Sequence, residues 1–408
     1  MMERLDPLLA AETSRRRLLA MGAVAVAAPV LGQAVDLRLA DGGGERATTD
    51  AFPGKRGMIL QRTRAPLLET PMSVFDAHDL TPNNRFFVRW HWDDIPTAVD
   101  VRSFRLQVGG HVTRSLAVSL EQLLRLPRIE YVAVNQCSGN SRGFFQPRVP
   151  GAQWGHGAMG NARWTGVSLR RVLDLAGVRP GARHARFGGL DRPLVPGAPD
   201  YLKSLAIDHA RDGEVMIAFQ MNGEQLPLLN GFPLRLVVPG WFSTYWVKAL
   251  DTIEVLAGDD PQYWMAKAYR LPATPRGGVA PGAKGFPTVP INQMPPRSWL
   301  TSVADGQRIA FRPALPVSGI ALGGAHGVAR VAVSADRGRS WRQARLGQDL
   351  GRYSFRRWSA TVPVAAPGPI RLMVRCWNTA GEGQPLTPIW NPSGYARDHV
   401  EVTTVMVT

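Results

Sequence analysis

Cysteine is scarce in this chain: only Cys137 and Cys376 occur in 408 residues. Two cysteines build no disulfide framework and no Cys-x-x-Cys metal site. No Cys-x-x-Cys-His occurs, so the chain is expected to carry no c-type haem. The eight histidines form no His-x-x-x-His pair and no metal-ligand spacing with a carboxylate, which argues against a zinc enzyme. Long apolar runs are missing as well. The uncharged run Ala20 to Ala34 is short and rich in Ala and Gly, too weakly apolar to span a membrane. Acidic side chains are outnumbered, 32 against 48 Lys and Arg, leaving a net charge of +16. Such a surplus suits nucleic acid, but the arginines are scattered, with no basic tail and no helix-turn-helix or aromatic RNA motif. A field that draws in a small anion or an acidic redox partner is the better reading, with no nucleic acid.

What is present begins with ordinary globular composition, 45% hydrophobic and 20% charged, at a length that suggests two or three domains. At the N-terminus, Thr13-Ser14-Arg15-Arg16-Arg17-Leu18-Leu19 precedes the uncharged run. Paired arginines before such a segment form a twin-arginine export signal over 1–34, with cleavage near Ala34 and delivery to the periplasm as folded protein. That route suits a protein loaded with a cofactor before export. Residues 35–55, rich in Gly and charge, read as a mobile mature N-terminus.

The chemical centre is Val134-Asn135-Gln136-Cys137-Ser138-Gly139-Asn140-Ser141-Arg142-Gly143-Phe144-Phe145. A strand-like run ending at Val134 delivers one thiol into a turn of small polar residues. A cysteine used as core filler sits among apolar neighbours, and this one does not. Upstream, Thr81-Pro82-Asn83-Asn84 feeds an extended run in which Arg89 and His91 point the same way. Ser119 is expected to cap a helix over 120–126, and Ser168 a helix over 169–176. Strands are expected over 104–108, 187–191 and 215–220, the last turning through Met221-Asn222-Gly223-Glu224. Gly and Pro crowd residues 271–287, which marks a linker. Beyond it, short alternating segments over 319–322, 328–334, 341–346, 355–364 and 370–376 read as an immunoglobulin-like β-sandwich, with Cys376 in its core.

These separated motifs resemble the sulfite oxidase family, and within it the bacterial periplasmic sulfite dehydrogenases, over nearly the whole chain after about residue 50. The resemblance implies an α+β protein: a molybdopterin-binding catalytic domain over 35–284 and an immunoglobulin-like dimerisation domain over 285–408. It implies one molybdenum-molybdopterin per chain, with Cys137 as the thiolate ligand to the metal. Arg89, Arg142, Trp154, Tyr269 and Arg397 match substrate-pocket positions. His91, Asp191, Asn230, Arg235, Trp246 and Lys248 match cofactor contacts, Asn230 standing where animal members have a histidine. The implied reaction is oxidation of sulfite to sulfate, with electrons leaving one at a time to a separate cytochrome c or small haem subunit. Activity on sulfane sulfur or a sulfoxide is the alternative within the same cofactor class. A cofactor-free export protein with an adhesion module is a different class, and a thiol hydrolase lacks a histidine paired with Cys137 in any motif.

Overall fold

The computed structural model describes residues 32–408. The paired arginines and most of the uncharged run after them lie outside the described residues. Strands dominate. Among the described residues the longest α-helix is Leu169–Ala176, so the helical share of the expected α+β class is small and the fold is mostly sheet. The 42 glycines and 33 prolines explain this, because they interrupt the chain before helical periodicity can extend.

The first part of the chain holds three sheets. One runs Ala34–Asp36, Glu45–Thr49, Met58–Arg62, Leu67–Glu69, Val88–Arg89, antiparallel throughout. This corrects the expectation that 35–55 is mobile. Gly42 and Gly43, at φ +74° and +63°, make the turn between the first two strands. The second sheet orders Lys203–Ala206, His184–Gly189, Leu250–Leu256, Arg105–Gly110 and Leu116–Ser119, the third and fourth pairing in parallel. The third sheet orders Glu224–Gln225, Met216–Met221, Met159–Ser168 and Arg128–Gln136, with Arg235–Val237 also on Met216–Met221. Its hairpin turns at Asn222 and Gly223, both at positive φ, as the Asn-Gly pair dictates. Arg128–Gln136 alternates in burial at its start and is wholly buried from Val132 onward, so it carries the following cysteine into the interior.

Ser119 caps Leu120–Leu124 in a reciprocal capping box with Gln122. Ser168 makes no such cap; its hydroxyl points instead at the Gly213 carbonyl. The Gly- and Pro-dense linker is closed at its base by pairing of Arg270–Pro272 with Thr288–Pro290.

The C-terminal part is two sheets on one core. Arg297–Leu300, Ala314–Leu322, Arg356–Pro363 and Arg345–Leu346 form one; Arg308–Ile309, Glu401–Val407, Gly368–Asn378, Val328–Ser334 and Arg342–Gln343 form the other. Val317, Val331, Trp358, Leu372, Val374, Cys376 and Val405 fill the space between them. Cys376 is buried there, and burial pushes its thiol well up. The strands Arg297–Leu300 and Glu401–Val407 lie outside the segments expected from sequence. A further cluster joins the two parts: Trp299, Ile320, Leu322 and Phe355 pack with Phe75, Val134, Met159, Tyr201 and Tyr269.

Candidate active site

Backbone and side chains hold the cysteine loop from several sides. The Cys137 amide donates to the Ala158 carbonyl at 2.9 Å, and the Asn140 side-chain oxygen accepts from the Ala158 amide at 3.0 Å. Ser141 adopts φ +69°, which lets the chain reverse. Its hydroxyl accepts from Arg297 Nη2 at 3.0 Å and meets His156 Nδ1 at 2.8 Å. The sandwich therefore grips the loop directly.

Cys137 opens onto a cavity also lined by Phe87, Arg89, His91, Asn135, Ser138, Tyr201, Leu229, Asn230, Arg235, Ser243, Thr244, Trp246, Lys248 and Tyr269. Arg235 donates to the Asn230 carbonyl at 2.9 Å and to Asn135 Oδ1 at 3.1 Å, and its guanidinium lies 5.3 Å from the Trp164 ring and 5.8 Å from Trp246. No carboxylate pairs with it, and burial lowers its pKa to about 9. The Lys248 ammonium sits 4.3 Å from the Trp90 ring centroid. Burial and Arg235 pull it down, while buried Asp191 opposes them; burial in turn pushes the Asp191 carboxyl up.

His91 stacks on Tyr201 with ring centroids 3.4 Å apart, and its Nε2 is bonded to the Tyr269 hydroxyl. Burial, Arg89 and Lys248 hold the imidazole neutral, and burial keeps the Tyr269 phenol protonated. Nε2 is thus engaged by Tyr269, which leaves Nδ1 as the ring nitrogen still to be met. That Nδ1 is buried and has no partner, nor have Arg89 Nη1, Asn135 Nδ2, Ser138 Oγ and Arg235 Nε. Stranded buried polar groups cost free energy unless something meets them. Here they surround one cavity, next to cations whose own pairing with carboxylates is thin. The ligand that satisfies them is anionic and rich in acceptors. Among the described residues no three His, Cys, Asp or Glu side chains cluster to hold a metal ion. A metal at Cys137 thus takes its other donors from a cofactor, and a phosphate-bearing pterin fits the donor set.

The structure brings Arg89, His91, Cys137, Asn230, Arg235, Trp246, Lys248 and Tyr269 together at this cavity. Asp191 stands behind Lys248 and does not line it. Both ends of the Asn230 amide are taken, its oxygen by Lys55 Nζ at 2.6 Å and its nitrogen by the Phe87 carbonyl at 3.1 Å. Trp154 is core, 1% exposed, away from the lining. Arg142 was expected in the pocket but does not line the cavity; it donates from Nε to the Ser393 carbonyl at 3.1 Å and from Nη1 to the Ala152 carbonyl at 3.3 Å. Arg397 does not reach the cavity. Its Nε and Nη2 each lie 3.1 Å from Glu401 oxygens and its Nη1 donates to the Phe144 carbonyl, so the expected substrate contact gives way to an ion pair. Asn135, Ser138, Tyr201, Ser243 and Thr244 were missed as lining residues. The first two flank Cys137 in its polar turn, a usable signal; the others sit in remote segments with no local pattern.

Family comparison agrees with this geometry. Residues 92–264 match the model described as oxidoreductase molybdopterin binding domain, and 288–400 match the Mo-co oxidoreductase dimerisation domain. The chain is 36% identical to sulfite oxidase of Gallus gallus over 346 residues, covering 80% of this chain and 73% of that protein. It is 33% identical to the mitochondrial sulfite oxidase of Homo sapiens, covering 82% of this chain and 64% of that longer protein. Among solved structures, the sulfane dehydrogenase SoxCD from Paracoccus pantotrophus shares the fold at a TM-score of 0.71 and 24% identity, covering 85% of this chain and 88% of that one. The chain is an oxidoreductase of the sulfite oxidase family of molybdopterin enzymes.

Proposed function

We propose that this protein oxidises sulfite to sulfate in the periplasm and passes the electrons one at a time to a separate cytochrome c. The observation that carries the reading is the placement of the one thiol of the loop, Cys137, on a cavity ringed by unpartnered buried polar atoms, the Arg89, Asn135 and Arg235 donors among them. The molybdenum cofactor supplies oxygen transfer and two-electron redox chemistry when bound. Arg235 and Lys248 would hold its anionic groups, and the unpartnered Nδ1 of His91 would meet one of its polar atoms. Arg89, with its free Nη1, would orient the substrate oxyanion, and the Tyr269 hydroxyl, tied to His91, would fix the pocket wall. Sulfite takes up one oxygen from water and releases two protons and two electrons. The twin-arginine segment supports export in folded form, and the lack of a haem motif supports an external acceptor. The C-terminal sandwich, immunoglobulin-like in our reading, would pair two chains as its family description suggests. No helix among the described residues is long and apolar enough to cross a membrane.

One observation favours a second reading. Arg397 is consumed by Glu401, so the pocket holds fewer free cations than a dianion site was expected to offer. A sulfane-sulfur substrate with less charge at the reacting atom fits that arrangement. Protein exported from a molybdopterin-competent host decides between them: cytochrome c reduction is expected with sulfite and not with a sulfane donor or a neutral sulfoxide. Turnover of the sulfane donor alone would overturn the sulfite assignment.

A further inference from the structure

A segment of the sandwich packs against the outer side of the cavity wall, and the residue it presents there is Tyr395, not Arg397. The Tyr395 ring stacks on Tyr269, with centroids 5.4 Å apart and planes 13° from parallel. The Arg142 guanidinium lies 5.1 Å from the centroid of the same ring. One aromatic ring therefore links a lining residue of the cavity, Tyr269, to the arginine of the cysteine loop.

The segment around it is built to hold this position. Asn391, fully buried, accepts from the Tyr395 amide at 3.1 Å and donates to the Tyr395 carbonyl at 2.9 Å. The Ala396 amide donates to the Ser138 carbonyl at 2.9 Å, one residue from Cys137, and Arg142 Nε bonds the Ser393 carbonyl. Space for Arg142 is reserved by glycines: a Cβ on Gly139, Gly151 or Gly394 would come within 2.6–2.8 Å of Arg142 side-chain atoms. Burial pushes the Tyr395 phenol up while Arg142 and Arg89 pull against it, which places the hydroxyl within the field of the pocket.

We propose that Tyr395 is a positioning residue through which the sandwich sets the substrate-binding geometry of Arg142 and Tyr269. Resting on the oxyanion reading above, the idea is that the ring, by its π face, fixes the guanidinium where one N–H fork can still meet an incoming anion. Without the ring, Arg142 keeps its carbonyl partners but loses its aim. The ring and not the hydroxyl is the working part, because both contacts are made by the face.

The test uses the molybdenum-loaded full protein with Tyr395→Leu and Tyr395→Phe. A cation–π contact of ordinary strength implies roughly a 2- to 30-fold effect. KM for sulfite should rise by about that factor in the Leu variant, with kcat within about threefold, and the Phe variant should match wild type. Calorimetric binding of sulfate, an unreactive oxyanion, should weaken in parallel in Tyr395→Leu. That readout stands whether or not sulfite is the substrate, so a wild type without sulfite turnover would sink the functional reading and leave this one to be judged on sulfate. Unchanged sulfate affinity in a fully loaded Leu variant would overturn the proposal. So would a Phe variant as impaired as Leu, or a Leu variant that loses its molybdenum, since either makes the residue something other than an aromatic support for the pocket.

Discussion

Two groups of buried cations in this molecule look alike in sequence and differ in what surrounds them. At the seam between the two parts, Arg297 is 1% exposed and bonded to Glu401, which Arg397 also grips through both its oxygens. Arg276, an exposed neighbour of this group, is paired with Asp398. Every one of these guanidinium groups has a carboxylate. At the cavity, Arg89 and Arg235 have none, and Lys248 has only Asp191 behind it. A buried charge that is matched within the chain supports the fold; one left unmatched inside it waits for a ligand. The seam is structure and the cavity is site.

The largest break in that contrast comes from the thiol. Cys137→Ser exchanges a soft ligand for a hard one, and turnover should be abolished while the circular dichroism spectrum stays unchanged. Persistent turnover would show that the thiol is not the metal ligand. Next in size is Arg297→Met at the seam, which strands Glu401 next to one arginine instead of two and frees Ser141. Loss of a buried ion-pair partner costs about 3–5 kcal/mol, readable by denaturant unfolding.

Acid should find the same seam. Burial lowers His156 to a pKa of about 3 and His399 to about 4, and Glu401, pushed up by burial but held down by Arg397, His156 and Arg297 together, stays well below its usual range. For a histidine with a depressed folded pKa, the unfolded chain binds more protons below 6.5. Stability is therefore complete above pH 6.5 and falls between 6.5 and 3. His156→Gln should remove part of that slope, on the order of 2–4 kcal/mol by pH 3. An identical pH–stability curve in the variant would take His156 out of the account. Smallest is Arg142→Gln in the cysteine loop, for which loss of one charge-assisted bond of roughly 1.5–3 kcal/mol should lower kcat/KM for sulfite about 10- to 150-fold.

Much of this was legible in the sequence for physical reasons. The polar turn around Cys137 advertised a functional thiol, and alternation marked the sandwich strands Val328–Ser334 and Gly368–Asn378. Asn222-Gly223 fixed its hairpin locally. Arg297–Leu300 was not legible because all four residues are buried, a pattern with no period. Arg397 was misplaced because an arginine near the right end of the chain says nothing of the carboxylate that captures it; Glu401 lies four residues on, and only the folded strand brings it round. Tyr201 and Lys55 reach the site from segments whose composition carries no signal. Lys55, in a stretch that reads as mobile, is 2% exposed and bonded to Asn230.

The contrast between seam and cavity is tested most directly by molybdenum content in a variant that removes cavity cations alone. Arg235→Met combined with Lys248→Met takes away two charges for which the chain supplies little compensation. The account predicts a protein that unfolds at the wild-type denaturant midpoint to within about 1 kcal/mol, yet is purified without molybdenum where wild type holds about one atom per chain. A double variant with full molybdenum would contradict it, and so would one destabilised as much as Arg297→Met is expected to be, because the cavity cations would then be part of the scaffold.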